Sequence, residues 1–151
     1  MKKILFIAAL AITGILSTSI YASAQVSYDS LCQSYKTYYS IAEALKDPLN
    51  VQKLDLSMQK LTVFPEEIMQ FPNLVCLDLS FNRIPTLPPS FATLTKIEYL
   101  NLAGTRYIGK LPSVLANMQN LKVLDLRDHP EWPASTFEEA KKLLPTVTIL
   151  K

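Results

Sequence analysis

The residues of this chain that could do chemistry do not form a catalytic or metal-binding pattern. His129 is the only histidine, so it has no second imidazole with which to share a metal ion. The serines have no G-x-S-x-G context, and the three glycines of the 151-residue chain do not build a phosphate-binding loop. We therefore expect a protein that is not an enzyme and that uses no cofactor or metal.

Polar residues that recur at a fixed spacing are more informative. Four of them stand between two leucines, in the tripeptides LDL, LDL, LNL and LDL, at successive intervals of 23, 23 and 24 residues. They are Asp55, Asp78, Asn101 and Asp125. Because alternate residues of a strand face opposite sides, the leucines should point into a core and these polar residues should point out. The elements that position them are therefore short strands, one in each repeat.

The apolar residues around these tripeptides fall into columns when the repeats are aligned. One repeat cannot bury such a stripe alone, whereas stacked repeats can, which predicts a solenoid with a parallel sheet along one side. The first column contains Val51, Leu74, Ile97, Leu121 and Val147, and the second contains Leu54, Leu77, Leu100, Leu124 and Leu150. The third contains Leu56, Leu79, Leu102 and Leu126, and the fourth contains Leu61, Ile84 and Tyr107.

Residues 74–88 read LVCLDLSFNRIPTLP, which fits the pattern L-x-x-L-x-L-x-x-N-x-I-x-x-L-P. This sequence resembles the leucine-rich-repeat family. The expected fold is an α/β leucine-rich-repeat solenoid, with short parallel strands on the concave face, irregular or helical convex returns and a helical N-terminal cap. The resemblance also implies a protein or peptide partner, without naming one.

The repeat boundaries predict the domain order of the whole chain. A signal peptide at residues 1–24 is followed by the cap at 25–50 and by four repeats. The repeats occupy residues 51–73, 74–96, 97–120 and 121–146, and a closing strand occupies 147–151. Four repeats and a closing strand meet the minimum of about three repeats that such arrays need.

Residues 1–24 have the features of a secretory signal peptide. Lys2 and Lys3 precede an apolar run, and Ala22-Ser23-Ala24 provides an A-x-A cleavage site before Gln25. Polar residues interrupt the run before it reaches the roughly 20 apolar residues of a membrane span. We therefore expect a secreted, periplasmic or extracellular protein with no stable membrane insertion after cleavage.

Removal of the leader changes the charge of the chain. It takes away two of the 15 basic residues and none of the 13 acidic ones, so 13 of each remain and the net charge is zero. A nucleic-acid-binding surface requires clustered Lys and Arg. The mature chain is therefore not expected to bind nucleic acid.

The segment before the first repeat has helical spacing. It predicts a cap helix from Tyr28 to Asp47, with Asp29 or Ser30 as the N-cap and Pro48 after the last residue. An element of this kind would cover the exposed end of the solenoid. The apolar stripe of the helix consists of Leu31, Tyr35, Tyr38, Ala42 and Leu45.

The fourth repeat departs most from the pattern. Its sequence predicts a helix from Phe137 to Leu144, with Ser135 or Thr136 as the N-cap and Pro145 at the end. With the closing strand, this helix is expected to cover the C-terminal end of the solenoid.

A polar residue is also expected in the turn after each strand, where the family has Asn. The four positions are Gln59, Asn82, Thr105 and His129. Side chains there can satisfy backbone groups that are buried in the turn. We therefore interpret His129 as a structural residue rather than a catalytic or metal-binding one.

Cys32 and Cys76 would share an exported chain, where disulfides are permitted. Cys76 precedes the inward-facing Leu77 and so faces outward on its strand, whereas Cys32 belongs to the cap beyond the first strand. A disulfide requires α-carbons within about 7 Å. We expect the two cysteines to be unpaired, because pairing would require the cap to fold over the concave side.

The predicted binding face is the outer side of the strands. Neighbouring strands lie about 4.8 Å apart, so the polar column would form an acidic ladder suited to a partner with basic residues. Tyr99 and Phe81 are the expected anchors, because exposed aromatic side chains carry much binding energy. The predicted partner-binding residues are Asp55, Asp78, Phe81, Tyr99, Asn101, Asp125 and Arg127.

Two alternatives to this interpretation remain open. Aspartate at the ladder position could simply keep the surface soluble, and the protein could be a structural or adhesive component of the cell envelope. A strand surface of roughly 200 Å² is small beside the roughly 800 Å² that each partner buries in a standard interface. A partner is therefore expected to contact the turn edge as well, at Arg83, Arg106 or Trp132.

The signal peptide gives the first testable prediction. The native protein should begin at or near Gln25 and should be found outside the cytoplasm. Mass measurement or N-terminal sequencing of the native protein checks both points. A protein that keeps Met1 and stays in the cytosolic fraction would instead be an intracellular scaffold.

Overall fold

The computed structural model describes residues 31–106 and 108–151. The predicted signal peptide, its cleavage before Gln25 and the predicted helix start at Tyr28, with the N-cap at Asp29 or Ser30, lie outside the described residues. The same holds for the fourth-column residue Tyr107. Within the described ranges, no helix is long and apolar enough to cross a membrane.

Six short parallel strands stand side by side in chain order in the described part of the chain. They are β1 (Thr37–Tyr38), β2 (Lys53–Asp55), β3 (Cys76–Asp78), β4 (Tyr99–Asn101), β5 (Val123–Asp125) and β6 (Thr148–Leu150). Two α-helices, α1 (Ile41–Ala44) and α2 (Ala134–Leu143), and four 3-10 helices, Pro48–Asn50, Glu66–Gln70, Pro89–Thr93 and Ser113–Asn117, connect them. The predicted α/β solenoid is confirmed.

Strand register places equivalent leucines next to one another. Leu54 pairs with Leu77, Leu77 with Leu100, and Leu100 with Leu124. All four of these leucines and all four of the third column are at most 1% exposed. Each such side chain contributes about 1.5–3 kcal/mol through burial, so the columns are the main source of stability.

The return segments close the opposite side of this core. The last three 3-10 helices each follow a proline, at positions 65, 88 and 112, which favours a bent return over a regular helix. Phe64 and Phe91 meet edge to face in the core, with ring centroids 5.6 Å apart. Phe71 and Ile68 are fully buried beside them.

The closing strand follows a register that differs from the predicted one. Leu124 pairs with Ile149, and Leu150 pairs with Asp125 on the outer side of the sheet. The assignment of Leu150 to the second leucine column was wrong. In the repeats, the first and second columns are three residues apart, whereas Val147 and Ile149 alternate directly and both pack against the core.

The predicted cap helix from Tyr28 to Asp47 was also wrong. The middle of this segment contains β1, which pairs with β2 and so extends the sheet by one strand. Tyr38 packs into the core, and Ser40 caps the four-residue α1 by accepting a hydrogen bond from the Glu43 backbone N–H at 3.2 Å. Strand pairing covers the edge of β2 and satisfies its backbone groups, which a helix would not do.

Cys32 and Cys76 form a disulfide, with their α-carbons 6.0 Å apart. The expectation of two unpaired cysteines was therefore wrong. Cys76 does face outward on β3, but the segment that contains Cys32 crosses the concave face and reaches it. We call residues 31–36 the strap. Because the apolar residues of this segment have helical spacing, the sequence did not indicate that it crosses the concave face.

Helix α2 lies where a helix was predicted but begins earlier, at Ala134. The predicted capping by Ser135 or Thr136 was wrong, because Pro133 occupies the N-cap position and provides no side-chain hydrogen bond. Proline in the preceding position fixes the extended backbone from which the helix starts. The helix buries Thr136 and Ala140 against the end of the solenoid.

The core columns give a stability prediction. Replacement of the fully buried Leu79 with Ala should lower the free energy of unfolding by about 2–5 kcal/mol, because it leaves a cavity between repeats. Leu49→Ala is the matched control: its side chain is 64% exposed, and the change should stay within about 0.5 kcal/mol. Denaturant unfolding measures both. Equal losses would show that the inward register is wrong.

Candidate functional site

A polar side chain in the turn after each strand ties neighbouring repeats together. Asn82 Nδ2 donates to the Leu56 carbonyl oxygen of the preceding repeat at 2.8 Å, and Asn82 Oδ1 accepts from the Leu61 backbone N–H at 3.0 Å. Gln59 Nε2 donates to the Tyr39 carbonyl oxygen at 2.8 Å. The predicted use of this position, to satisfy turn backbone groups, is confirmed.

The next two repeats use the same acceptor with different side chains. Thr105 Oγ1 donates to the Leu79 carbonyl oxygen at 3.3 Å, and His129 Nε2 hydrogen bonds to the Leu102 carbonyl oxygen at 2.9 Å. In each case the acceptor belongs to the third-column leucine of the preceding repeat. We call Gln59, Asn82, Thr105 and His129 the turn ladder.

His129 makes contacts through one face of its ring and through both ring nitrogens. Its ring stacks on Trp132, with centroids 4.2 Å apart, and its Nδ1 atom lies 3.3 Å from Glu131 Oε1. Trp132 is buried, and its indole N–H donates to the Ile108 carbonyl oxygen at 2.9 Å. Both the ring of Trp132 and its polar atom are engaged within the fold, so Arg83 and Arg106 are the exposed residues among the three predicted turn-edge positions.

The predicted acidic ladder has a structural role that sequence reasoning missed. In every member, a side-chain oxygen accepts the backbone N–H two residues later, which is an Asx turn at the end of the strand. The pairs are Asp55–Ser57 at 2.9 Å, Asp78–Ser80 at 2.8 Å, Asn101–Ala103 at 2.9 Å and Asp125–Arg127 at 3.1 Å. An Asp or Asn repeated at a strand end could have indicated these turns.

Charge along this ladder is partly neutralised. Asn101 Nδ2 donates to Asp78 Oδ2 at 2.8 Å, and Arg127 pairs with the fully buried Asp125 at 2.6 Å. Burial raises the pKa of the Asp78 carboxyl above the ordinary aspartate value, and the charge on Asp55 adds to the rise. Hydrogen bonds from Ser80 and Asn101 oppose that rise.

A column of left-handed residues follows the Asx turns. Met58, Phe81, Gly104 and Asp128 have φ angles of 57°, 54°, 61° and 60°. Their backbone forms an inter-repeat ladder, since the N–H groups of Met58, Phe81 and Gly104 donate to carbonyl oxygens of the next repeat. A bulky side chain at positive φ is an outlier that costs roughly 1–2 kcal/mol.

Two of these left-handed residues are large, apolar and exposed. Met58 is 69% exposed and Phe81 is 47% exposed. The Phe81 ring lies over Gly104, where an added Cβ atom would come within 2.5 Å of the ring. We call Met58 and Phe81 the turn-edge ridge.

An open cleft of about 580 Å³ lies beside Phe81. Phe81 and Phe137 line it, and its charged lining residues are Arg106, Arg127, Asp128 and Lys151. A second cleft, of about 710 Å³, lies on the return side between the second and third repeats. Because the first cleft continues from the ridge, it enlarges the surface that a partner could contact at the turn edge.

The predicted site residues do not all lie on one accessible surface. Tyr99 is only 3% exposed and packs with Cys32 and Val123 in a small second core under the strap. The expectation that Tyr99 is an exposed anchor was wrong, because the strap covers this part of the strands. Asp125 is fully buried and pairs with the exposed Arg127. The members of the predicted set that remain at the surface are Asp55, Asp78, Phe81, Asn101 and Arg127.

Comparison with known proteins agrees with the repeat geometry. The leucine rich repeat family model matches residues 49–106. The chain is 29% identical over 100 residues to the S-cell enriched with leucine-rich repeat-containing protein slrA of Dictyostelium discoideum, which covers 66% of this chain and 7% of that protein. It is 43% identical over 56 residues to leucine-rich repeat-containing protein 59 of Danio rerio, or 36% of this chain and 18% of that protein.

A third relative is the disease resistance protein RPS5 of Arabidopsis thaliana, 40% identical over 76 residues, or 50% of this chain and 8% of that protein. Among solved structures, an LRR protein of Leptospira interrogans shares 28% identity, with a TM-score of 0.46, over 62% of this chain and 30% of that one. The chain thus spans between 7% and 18% of the lengths of the three curated relatives.

Residues 49–106 of this chain match the leucine-rich-repeat family model, and the relatives support a leucine-rich-repeat family member. Repeats of this family indicate a module for protein–protein interaction and are typically not enzymatic. In residues 31–106 and 108–151, no group of three His, Cys, Asp or Glu side chains is arranged to hold a metal ion.

The turn ladder gives a second stability prediction. Asn82→Ala removes the donor to Leu56 and the acceptor for Leu61 in a buried turn, and should lower the free energy of unfolding by about 2–4 kcal/mol. Asn120→Ala is the matched control, because Asn120 also donates to a carbonyl of the preceding repeat but is exposed. Its effect should stay near 0.5 kcal/mol. A small effect at Asn82 would contradict the role assigned to the ladder.

The environment of Asp78 gives a titration prediction. Carbon NMR of the Asp78 carboxyl should report a pKa above the ordinary aspartate value, because burial disfavours the charged form. Asp55→Asn keeps an acceptor for the Ser57 N–H but removes the nearby charge, so it should lower the pKa of Asp78. Asp128→Asn is the control and should leave that pKa unchanged. An unaltered value in Asp55→Asn would show that the two carboxylates do not interact.

Proposed function

We propose that this protein is an exported, non-enzymatic recognition module that binds a protein or peptide. Its binding surface comprises the turn-edge ridge, the adjoining cleft and the strand-end half of the concave face. The observation that carries the proposal is the ridge itself, where Met58 and Phe81 are both exposed and both at positive φ.

The turn-edge ridge destabilises the protein when no partner is bound. Glycine would satisfy the left-handed backbone at both positions without strain, as Gly104 does in the next repeat. Large apolar side chains add strain and exposed apolar surface instead. Backbone outliers of this kind concentrate at binding sites, where a partner compensates for their cost by covering the apolar groups. Exposed aromatic side chains are also the residues that contribute most to interfaces.

The strap limits where a partner can bind. It covers Tyr99 and Val123 near the starts of the strands, while Asp55, Asp78 and Asn101 at the strand ends stay at the surface. The strand-end surface is far smaller than the roughly 800 Å² that each partner buries in a standard interface. The ridge and the cleft beside it supply the additional area, so a partner would lie across the turn edge.

The charged residues on the two sides of the ridge suggest which charged groups a partner would place there. Asp55 and Asp78 lie on the strand side, where burial raises the pKa of the Asp78 carboxyl. Arg106 and Lys151 line the cleft, as do Asp128 and Arg127, and Arg127 already pairs with Asp125. A partner with a basic group toward the strands and an acidic group toward the cleft would complement both, with an apolar residue between them on Phe81.

Export is supported by two independent features. The first is the leader sequence at residues 1–24, with its A-x-A site. The second is the disulfide between Cys32 and Cys76, because structural disulfides persist in oxidising compartments and are rare in the cytosol. Fractionation of cells that produce the protein would test the location directly.

The ridge gives the prediction that tests this function. Partners are captured from culture supernatant and envelope extract on immobilised mature protein, and their affinities are then measured by calorimetry. Phe81→Ala should weaken binding by at least about 30-fold, the effect of losing an interface anchor worth roughly 2 kcal/mol. Its free energy of unfolding should change by no more than about 0.5 kcal/mol, because the ring is exposed.

Val63→Ala is the control for this measurement. Val63 is also large, apolar and exposed, but it lies on the return side. Its substitution should leave affinity unchanged. Equal affinities for wild type and for Phe81→Ala would place the binding surface elsewhere, and the cleft between the second and third returns would be the next to examine.

A further inference from the structure

The turn edge carries an exposed column of basic residues beyond the turn-edge ridge. Lys60, Arg83 and Arg106 each stand two residues after the left-handed position of their repeat, and all three are exposed. We call them the basic column. The Arg83 backbone N–H donates to the Leu61 carbonyl oxygen of the preceding repeat at 2.8 Å, so consecutive members of the column lie in neighbouring stacked turns.

Acidic, apolar and basic residues follow one another in the same order in successive repeats. From the strand end to the turn, the first repeat has Asp55, Met58 and Lys60, and the second has Asp78, Phe81 and Arg83. The third repeat keeps the basic residue, Arg106, beside Gly104, which the Phe81 ring covers. The edge therefore presents a negative, an apolar and a positive stripe that run along the solenoid.

The basic column has no carboxylate partner of its own. Within residues 31–106 and 108–151, none of its three side chains forms an ion pair, although Glu131 lies within electrostatic range of Arg106. Neighbouring strands lie about 4.8 Å apart, so like charges in successive repeats repel one another. A partner that places carboxylates over this column would relieve that repulsion.

We propose that this surface binds a second copy of the chain, with a two-fold axis parallel to the solenoid axis. The proposal rests on the function proposed above, because it names a partner for the same turn edge. An interface between identical copies related by a two-fold axis must be complementary to itself. An edge with a negative stripe, an apolar stripe and a positive stripe meets this condition.

Only one orientation of the two-fold axis pairs unlike charges. Rotation about an axis parallel to the solenoid places Asp78 opposite Arg83 of the second copy, and Asp55 opposite its Lys60. Rotation about an axis across the solenoid would place the acidic residues of the two copies together and the basic residues together. Because like charges that face each other oppose association, charge selects the parallel arrangement.

The parallel arrangement also covers the turn-edge ridge. Phe81 would meet Phe81 of the second copy, and Met58 would meet Met58. These side chains are 47% and 69% exposed in the single chain, and their burial would compensate for the exposure of the ridge. In the fourth repeat, the exposed Asp128 stands in the ridge column and would face itself. The contact is therefore confined to the first three repeats.

The size of this contact predicts a weak dimer. The strands of the first and third repeats are only roughly 10 Å apart, so the contact is smaller than a standard interface of roughly 800 Å² per partner. Exposed charge pairs contribute little individually and are screened by salt. The dimer should therefore exchange with the monomer, and another protein that binds Phe81 would have to displace the second copy.

Sedimentation equilibrium of the purified, oxidised protein tests self-association. At low salt, the weight-average mass should rise toward that of a dimer as the protein concentration increases, and salt should weaken the association. Arg83→Glu should weaken it at least about tenfold, because it creates two like-charged pairs across the axis. Lys110→Glu is the control, since it makes the same change in charge at an exposed position on the return side and should leave association unchanged.

Cysteine cross-linking tests the orientation of the axis. The two native cysteines of the chain are bonded to each other, so a single introduced thiol reports on contact between copies. Met58→Cys and Phe81→Cys should each form a disulfide with the same residue of the second copy on mild oxidation. Val63→Cys is the control, because Val63 is as exposed as Met58, at 69%, but lies on the return side.

Three results would overturn the proposal. They are a protein that stays monomeric at about millimolar concentration, far above the range in which weak interfaces associate, an association that Arg83→Glu leaves unchanged, and cross-linking of Phe81→Cys without cross-linking of Met58→Cys. The last result would indicate an axis across the solenoid. A monomeric protein that still binds a captured partner through Phe81 would overturn the dimer and leave the proposed function in place.

Discussion

No repeat of this chain can bury its own leucine stripe, and every other feature of the structure depends on that constraint. Burial requires neighbouring repeats to stack with their strands in register, so that Leu54, Leu77, Leu100 and Leu124 lie side by side. A slip of one residue would turn the leucines toward solvent. The polar residues of the turns must therefore stabilise this strand register.

The turn ladder stabilises the strand register through three different chemical groups. An amide, a hydroxyl and an imidazole all reach the carbonyl oxygen of the third-column leucine one repeat earlier. What the position requires is a donor of suitable reach, because the acceptor is buried and would otherwise be unsatisfied. His129 stands where the family has Asn, yet it makes the equivalent hydrogen bond to a leucine carbonyl oxygen. Trp132 stacks on the His129 ring near the C-terminal end of the solenoid.

Much of the fold could be predicted because it repeats. The leucine columns, the sheet order and the use of the turn ladder all follow from a period that Leu74 to Pro88 states in full. The cap could not be predicted in the same way: Leu31, Tyr35 and Tyr38 have helical spacing, but pairing with β2 satisfies more backbone groups than a helix would. Leu150 was misplaced for a related reason, since the last strand follows a helix rather than a standard return.

The candidate site was harder to predict because its decisive contacts do not recur. Tyr99 stands at a position that is exposed in an open solenoid, and only the strap, through a disulfide that spans 44 residues of sequence, makes it buried. Phe81 was correctly identified as an exposed aromatic residue. Its positive φ was not foreseen, because in that column only Gly104 and Asp128 are residue types that favour a left-handed turn. The aspartates proved to have a local structural use as well as a surface position.

The proposed binding of a partner at the turn edge depends on the ridge, which is exposed there while the strap covers the strand starts. Hydrogen exchange read by mass spectrometry, on the oxidised protein with and without a captured partner, tests it most directly. On binding, peptides that contain Met58, Phe81 and Arg106 should exchange more slowly, with no change around Val75 and Tyr99. Slower exchange confined to the returns at residues 85–89 and 109–117 would contradict it.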